Sequence, residues 1–409
     1  MILFPAKIAL PDFSRQDGTK WACVACDQFT SEPAYWEACE RTVGDAPSAL
    51  RLILPEVYLH GDVTDRISAI NRTMREYQNT VLRELPPSFI LVERTQPDGR
   101  VRLGLVGAID LEDYSFAPDA TTPIRSTEGT VADRIPPRVA IRKDALYELP
   151  HVMLLLDDPT MSVIEPLADR ADLPTLYDFD LMEGGGHIRG RAVDAAEAET
   201  LSRAILATAP TGEHPMVMAV GDGNHSLATA KTIYEDLKAK SPDEAKTSPA
   251  RYALVEVVNL HSPALDFEPI YRTVEHLAST DALVDRLEAY AAACAADPAC
   301  TGYPSQTFTC ISASGTRTVT FLHGSHTLPV GTVQRFLDAE EDLAVDYIHG
   351  EDSLAALASF EGTLGISFAG MQKSELFSAV TTDGPLPRKT FSMGHARDKR
   401  YYVEARRIK

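Results

Sequence analysis

The sequence predicts an α+β fold, in which a mixed sheet with flanking helices is followed by a C-terminal α/β lobe. Strand-like apolar runs and segments with helical apolar spacing both occur, but they do not alternate regularly as the strands and helices of a βαβ series do. At 409 residues, with 44% hydrophobic and 24% charged residues, the chain can bury a full core. A change of pattern near residue 275 predicts a main body, 1–275, and a lobe or elaboration, 276–409.

The main body contains both kinds of element. Apolar spacing predicts helices over 33–50 and 62–84, with Asp62 or Thr64 capping the second. Alternating apolar residues on either side of the turn at 96–99 predict a β-hairpin. The elements predicted after it are a polar loop over 114–137, a strand over 150–156, a hairpin over 176–193, a helix over 195–208, a strand over 215–220, a helix over 226–240 and a strand over 252–259.

The C-terminal lobe is predicted from the same periodicities. Its predicted elements are a long helix over 275–297, a hairpin through Gly315, a helix over 331–342 and a strand over 401–406.

Composition argues against several classes of protein. The net charge of −20 disfavours a nucleic-acid binder, which needs Lys and Arg to neutralise phosphates. Residues 1–10 have no basic leader, and no stretch approaches the ~18 apolar residues of a membrane span. Cys23 and Cys26 form a lone C-x-x-C pair, which favours buried reduced thiols over zinc or redox chemistry. We therefore expect a cytoplasmic protein without nucleic-acid or membrane partners, whose oligomeric state stays open.

Most phosphate-binding motifs are absent. The chain has no G-x-x-x-x-G-K-[ST] loop, which excludes a Walker nucleotide site. The glycine-rich run 184–190 is interpreted as a hairpin loop, because charged residues precede it. Asp157 is interpreted as the residue that ends a strand; proximity to a site is the alternative.

The stretch Gly221-Asp-Gly-Asn-His-Ser226 lies between an apolar run and an alanine-rich helix. One interpretation is ordinary turn chemistry, with Asp222 or Asn224 as the helix cap. The other is a phosphate site, because a helix N-terminus offers N–H donors and partial positive charge. Gly223 would let the backbone approach the anion closely. The site interpretation explains more of the residues.

A second group of polar residues lies at 124–130, within the predicted polar loop. Arg125 offers a bidentate fork for phosphate, and Glu128 offers an acceptor for a hydroxyl proton. Arg138 and Arg142 add positive charge soon after. We expect 124–130 and 221–226 to face one cleft.

These motifs together resemble the bacterial family called domain of unknown function 1015. The resemblance is carried by Asp222-Gly-Asn-His225, Arg125-Ser-Thr-Glu128, Cys26-Asp-Gln-Phe-Thr-Ser31 and Pro387-Arg-Lys-Thr-Phe-Ser-Met-Gly394. The D-G-x-H turn is similar to the phosphate-binding turn of the ParB/sulfiredoxin superfamily, which includes nucleases, nucleotide hydrolases and free-serine kinases. The chain has Ser226 where an arginine often follows the histidine, and Asn224 where sulfiredoxin chemistry needs a cysteine.

The resemblance and the motifs imply a small-molecule phosphotransferase, such as a kinase of free serine or a similar hydroxyl metabolite. The implied phosphate-binding residues are Arg125, Gly223, Asn224, His225 and Ser226. Glu128 would be the general base, and Asp222 would orient His225 or bind Mg²⁺ alongside a donor such as ATP, ADP or pyrophosphate. Asp27, Arg138 and Lys389 are further candidates.

Two other functions fit the same turn. One is a non-catalytic regulator that binds a nucleotide or phosphometabolite. The other is a ParB-like DNA-binding protein, which the charge of −20 disfavours.

Overall fold

The computed structural model describes residues 1–59, 61–130 and 132–409. These residues form two compact units. The first contains Met1–Ser126, Thr130–Leu265 and His395–Lys409. The second contains Thr127–Gly129 and Asp266–Gly394.

The strands of the described chain are β1 (Ile8–Pro11), β2 (Cys23–Val24), β3 (Leu82–Glu84), β4 (Ser88–Thr95), β5 (Val101–Asp110), β6 (Tyr114–Ser115), β7 (Ile124–Ser126), β8 (Tyr147–Glu148), β9 (Met153–Leu156), β10 (Thr175–Leu181), β11 (Gly186–Asp194), β12 (Met218–Asp222), β13 (Tyr252–Asn259), β14 (Phe267–Glu275), β15 (Gln306–Ser312), β16 (Gly315–Phe321), β17 (Ala344–His349), β18 (Leu364–Phe368), β19 (Phe391–Met393), β20 (Tyr401–Tyr402) and β21 (Ala405–Arg407).

The α-helices are α1 (Gly18–Trp21), α2 (Pro33–Val43), α3 (Thr64–Thr80), α4 (Ile135–Arg142), α5 (Glu165–Ala168), α6 (Ala198–Thr208), α7 (Asn224–Lys240), α8 (Pro242–Thr247), α9 (Thr280–Ala296), α10 (Pro329–Ala339), α11 (Glu351–Ala358) and α12 (Leu376–Asp383). None of the helices in the described ranges is both long and apolar enough to cross a bilayer.

A mixed sheet organises the first unit. Within the described residues its strand order is β10-β11-β4-β5-β13-β9-β12-β7-β6. Alternate residues of β4 enter different cores: Ile90 and Val92 belong to one apolar cluster, and Phe89 and Leu91 to another. Because successive side chains of a strand point to opposite faces, both faces of this sheet are buried. A smaller sheet, in the order β3-β1-β21-β8, belongs to the same unit.

Strand β12 connects the sheet to the candidate site. It pairs antiparallel with β9 and parallel with β7, so it lies inside the sheet. Its residues Met218–Val220 are fully buried, whereas Asp222, where the strand ends, is partly exposed. The chain then turns through Gly223 into α7. The strand–turn–helix predicted from the sequence is therefore present.

The second unit has its own sheet, in the order β16-β15-β18-β14-β17, with β19 paired to one end of β14. Among the described residues of this unit, the neighbouring strands all pair antiparallel. The short segment Thr127–Gly129 joins this unit through a bridge between Glu128 and Leu386.

The mixed sheets and flanking helices confirm the predicted α+β class. The three predicted hairpins correspond to β4–β5, β10–β11 and β15–β16, and the strand predicted over 252–259 coincides with β13. β9 ends directly before Asp157, as predicted.

Several predicted boundaries need correction. The helix expected over 33–50 ends at Val43, and the polar loop expected over 114–137 contains β6, β7 and the start of α4. The long helix expected from 275 begins at Thr280, because strand β14 occupies 267–275. The expected last strand is divided between β20 and β21, which pair in different sheets. The unit boundaries also differ from 275/276: the second unit begins at Asp266, and 395–409 belong to the first.

Candidate functional site

The turn after β12 has a backbone that only glycine adopts easily. Gly223 has φ +77°, in the left-handed region, and it is the N-cap of α7. A Cβ on Gly223 would lie 3.0 Å from Val152 Cα and 3.3 Å from His151 Cδ2. Glycine is therefore required at position 223 for two reasons: its backbone angle, and the close approach of Val152, the residue before β9.

The first turn of α7 has no side-chain cap among the described residues. The Asp222 carboxylate accepts a hydrogen bond from Gly223 N at 2.9 Å instead of capping the helix. The first helical bond is donated by Leu227 N to Gly223 O. Neither Asp222 nor Asn224 is the cap that ordinary turn chemistry predicts. A 17-residue helix thus begins with a partial positive charge that no acidic residue in its first turn offsets.

Asn224 is oriented by the neighbouring strand β7. The Ser126 hydroxyl lies 2.5 Å from Asn224 Oδ1 and donates to it. Because the amide oxygen is the acceptor, the Nδ2 group of Asn224 keeps its two N–H donors. Ser126 pairs in register with Val220 of β12, which explains why the two residues meet. This contact brings residues 124–126 to the edge of the turn.

A lysine lies beside Asp222. Lys399 Nζ is 3.4 Å from Asp222 Oδ2, and both side chains are largely buried, with exposed fractions of 13% and 16%. The buried Arg102 guanidinium is also close enough for the Asp222 charge to affect its pKa, which burial lowers overall. Lys399 therefore places a positive charge beside the turn.

A tyrosine, a histidine and an aspartate form a relay next to Gly223. The Tyr402 hydroxyl accepts a hydrogen bond from Cys26 N at 3.1 Å and shares a hydrogen bond with His151 Nδ1 at 2.8 Å. Burial raises the pKa of Tyr402 well above its usual value, which keeps the hydroxyl protonated. On the other side of the ring, His151 Nε2 lies 3.9 Å from Asp27 Oδ2.

Asp27 is an ionised carboxylate at neutral pH. Burial raises its pKa, but His151, a hydrogen bond from Gln28 and Lys399 lower it, and the net shift is below the usual value. The Gln28 Nε2 donor is 3.0 Å from Asp27 Oδ1. The side chain is still 27% exposed, so a ligand can reach it.

A small cavity of about 130 Å³ opens beside these residues. Ser226, His151 and Tyr402 line it, together with a mainly apolar set: Cys26, Leu52, Ile53, Leu54, Leu59, Met74, Ile141, Ala145, Tyr147 and Leu149. Arg138 also lines it and is paired with Glu56. The cavity belongs entirely to the first unit.

The remaining predicted site residues have different surroundings. Arg125 is buried, and its Nε and Nη2 donate to the carbonyls of Thr122 and His214 at 2.9 and 2.6 Å. Two of the Arg125 N–H groups that were expected to hold phosphate therefore donate to backbone carbonyls of the protein instead. Glu128 and Lys389 belong to the second unit, so a shared cleft between 124–130 and 221–226 stays a prediction.

The Cys23–Cys26 pair has the properties of buried thiols. Burial raises the pKa of Cys23 well above its usual value and that of Cys26 to about 12. A thiolate is the reactive form in redox exchange, and these shifts disfavour it. Throughout the described ranges the six cysteines are free.

Sequence reasoning missed three residues of the site: His151, Lys399 and Tyr402. His151 lies where the predicted strand over 150–156 begins, which hid it among apolar neighbours. Lys399 and Tyr402 are far from the turn in sequence. A basic and aromatic run at 399–402 was a visible signal, but nothing local connects it to Asp222.

A divalent cation would find limited protein ligands here. The described residues contain no group of three or more His, Cys, Asp or Glu side chains arranged to hold a metal. Mg²⁺ usually takes one or two carboxylates and completes its shell with water and substrate phosphates. Asp222 fits that role as a single ligand, together with the phosphates of a donor.

Comparison with solved structures gives matches of low identity. A free serine kinase in complex with AMP matches at 10% identity and a TM-score of 0.38, covering 74% of this chain and 90% of that chain. A conserved hypothetical protein from Pyrococcus furiosus matches at 10% and 0.33, covering 70% and 90%. SbnI with a C-terminal truncation, from Staphylococcus aureus, matches at 8% and 0.35, covering 71% and 82%.

Comparison of the sequence with curated proteins finds no significant match. Comparison with family patterns gives a match over residues 11–340, which includes the turn, Asp27 and His151. That match spans most of the chain, and it confirms the resemblance carried by the D-G-x-H and C-D-Q-F motifs. The chain belongs to the family described as "Protein of unknown function (DUF1015)".

Proposed function

We propose that the protein is a cytoplasmic phosphotransferase that moves a phosphoryl group from a donor such as ATP, ADP or pyrophosphate to a small hydroxyl compound, of which free serine is one. The observation that carries the proposal is the uncapped start of α7 beside the Asp27–His151 pair. Phosphoryl transfer needs groups that hold phosphate and a group that accepts the hydroxyl proton. The turn and the Asp27–His151 pair both belong to the first unit.

The turn is suited to the donor's phosphates. Gly223 lets the backbone come close to an anion, and the helix dipole favours negative charge at this end of α7. Asn224 adds side-chain N–H donors, because Ser126 occupies its amide oxygen. Ser226 adds a hydroxyl at the cavity beside the turn. His225 is the remaining first-turn residue of the predicted set.

Asp27 is suited to accept the proton. In the transfer, the acceptor's hydroxyl oxygen forms a bond to phosphorus while the donor's bridging P–O bond breaks, and its electron pair leaves with the rest of the donor. The hydroxyl proton goes to the Asp27 carboxylate. His151 Nε2 faces that carboxylate, and the Tyr402–His151 hydrogen bond fixes the ring. Glu128, the base predicted from sequence, is the alternative acceptor.

Mg²⁺ would be bound through Asp222 and the donor's phosphates, and it would neutralise charge on them. The protein's own part is to hold the phosphates at the turn and to place the acceptor hydroxyl near Asp27.

The proposal is tested by incubating the full chain with Mg²⁺, each donor in turn and a set of hydroxyl compounds that includes free serine. Phosphorus NMR then follows the appearance of a phosphomonoester. Steady formation of such a product supports the proposal. Donor binding in calorimetry with no product from any acceptor would instead support the non-catalytic regulator.

A further inference from the structure

Lys399 lies on a segment that is held unusually firmly. The backbone carbonyls of the two residues before Lys399 accept hydrogen bonds from buried arginines. Arg397 O accepts from Arg94 Nη2 at 2.9 Å, and Asp398 O accepts from Arg102 Nη1 at 2.6 Å. On the other side, Arg400 donates Nε to Pro150 O at 2.9 Å. The chain is therefore held in place by hydrogen bonds on both sides of Lys399.

The arginines that fix it form a buried ionic cluster. Arg94, Arg102 and Arg400 are at most 3% exposed, and the carboxylates among them are Glu256 and Glu404. Burying charges is costly unless they are paired and hydrogen-bonded. Arg102 and Arg400 pair with Glu256, and Arg400 also pairs with Glu404, whereas Arg94 binds the backbone carbonyls of Thr95 and Arg397.

The sheet has been adapted to make room for this cluster. Glu256 on β13 pairs in register with Val106 of the neighbouring strand β5, and its side chain packs over Gly104, two residues away on that strand. A Cβ at position 104 would collide with the Glu256 carboxylate, so only glycine fits there. Such an arrangement is expensive in a sheet interior, where glycine weakens a strand. Glu256 in turn binds Arg400, on the segment that carries Lys399.

We propose that Lys399 is the cation that binds the donor's phosphates at the 222–226 turn, in the role that the sequence suggested for Arg125. The ammonium is 3.4 Å from Asp222 and next to the start of α7, whereas the Arg125 guanidinium is bonded to two carbonyls. Lysine binds phosphate as a compact point charge. Asp222 holds the ammonium in place, and a phosphate competes with it for the same charge. This inference rests on the proposed phosphate site.

The test measures binding of pyrophosphate and of ADP to the full chain by calorimetry, without Mg²⁺. Lys399→Met should weaken binding by about 10- to 100-fold, the usual effect of losing a charge-assisted hydrogen bond. Lys399→Arg should retain most of the affinity. Lys231→Met is the matched control: Lys231 is 15% exposed, pairs with Glu235 at 2.8 Å and lies on α7 away from its start. That control should bind like the wild type.

Asp222→Asn supplies an independent test, in which binding is expected to become tighter instead of weaker. The asparagine oxygen can still accept from Gly223 N, but the charge that competes for Lys399 is gone. Pyrophosphate without Mg²⁺ should therefore bind more tightly. If Lys399→Met does not fold, as judged by circular dichroism, this variant decides: tighter binding supports the proposal, and unchanged or weaker binding overturns it.

The outcomes separate this inference from the proposed function. Equal binding by the wild type and Lys399→Met overturns the role of Lys399, even if transfer is observed. Lys399-dependent binding without transfer to any hydroxyl compound supports the inference and contradicts the phosphotransferase. A wild-type chain that binds neither pyrophosphate nor ADP overturns both.

Discussion

Glu148 shows how a single buried charge is kept stable in this protein. Its Oε1 accepts from Leu254 N at 2.9 Å and from Arg406 Nε at 2.6 Å, and its Oε2 accepts from Arg142 Nη2 at 2.5 Å. Burial raises the pKa of Glu148, but the neighbouring Arg406 and Arg142 lower it by more than burial raises it. The net pKa therefore lies below the usual 4.5. The carboxylate is thus more stable in the folded chain than in the unfolded one.

Glu148→Gln should reduce the free energy of unfolding by about 3–5 kcal/mol at neutral pH, because it leaves two arginines without their carboxylate. Because the pKa of Glu148 is lower in the folded chain than in the unfolded chain, its carboxylate stabilises the fold above pH 4.5, the unfolded value. That stabilisation is lost as the pH falls through the folded pKa. The difference between variant and wild type should therefore shrink below pH 4.5.

Chemical denaturation at several pH values measures this effect. Asp98→Asn is the control, because Asp98 is 46% exposed and its ion pair with Arg100 lies on the surface. It should change stability little. If the difference in unfolding free energy between Glu148→Gln and the wild type grew at acidic pH, it would contradict the conclusion that Glu148 is charged in the folded chain.

The proton acceptor can be identified with two carboxylate-to-amide variants. If Asp27 is the base, Asp27→Asn should lower turnover by about 10²–10⁴-fold with donor affinity nearly unchanged, because it removes proton acceptance and keeps the shape. Glu128→Gln should then have little effect. The reverse pattern would assign the base to Glu128.

The pH profile provides a second check on Asp27. Because neighbouring groups hold the pKa of Asp27 below its usual 3.8, this carboxylate should produce no loss of turnover between pH 7 and pH 5. An acid limb in that range would have to come from another group.

At the scale of elements, the β12–Gly223–α7 unit depends on one residue. Gly223→Ala should destabilise the fold by roughly 1–2 kcal/mol, since φ is +77° and the added Cβ meets Val152. It should also weaken donor binding, because the new methyl group lies at the proposed phosphate site.

Gly99→Ala is the matched control for that variant. Gly99 has φ +87°, but a Cβ there would have open space around it. This change should cost a similar conformational energy in thermal unfolding and leave donor binding as in the wild type. Equal loss of donor binding in both variants would show that the turn is only structural.

Local periodicity was sufficient for some elements and not for others. The β4–β5 hairpin and β13 were predictable, because alternating or continuous apolar runs specify them without distant partners. Strand β7 was not predictable, since only three residues form it and its pairing with β12 is parallel and distant in sequence. The D-G-N-H turn was found because its strand, glycine and helix are contiguous.

The rest of the site comes from long-range contacts. His151 reaches Tyr402 across 251 positions, and Lys399 meets Asp222 from the opposite end of the first unit's chain. No sequence window contains these pairs. The buried Arg102–Glu256–Arg400 cluster was also hidden, because charged residues within predicted strands indicate exposure more often than burial.

At the scale of the whole molecule, the net charge of −20 predicts behaviour towards nucleic acids. Non-specific DNA binders reach roughly 10⁻⁴–10⁻⁶ M at physiological salt by neutralising phosphates with basic side chains. Duplex DNA should bind this chain more weakly than that range. A gel-shift assay measures it, and retention that falls steeply with salt would revive the ParB-like interpretation.

The order of the two units along the chain has a consequence for biosynthesis. Residues 395–409 complete the first unit but follow the whole of 266–394, whose translation takes roughly 6–25 s at ~5–20 residues per second. Until they emerge from the ribosome, β1 and β8 lack the strand β21 that joins them, and β2 lacks β20. Unpaired strand edges invite association with other chains. Nascent chains stalled before residue 395 should therefore depend on ribosome-associated chaperones, while full-length chains released into solution should not.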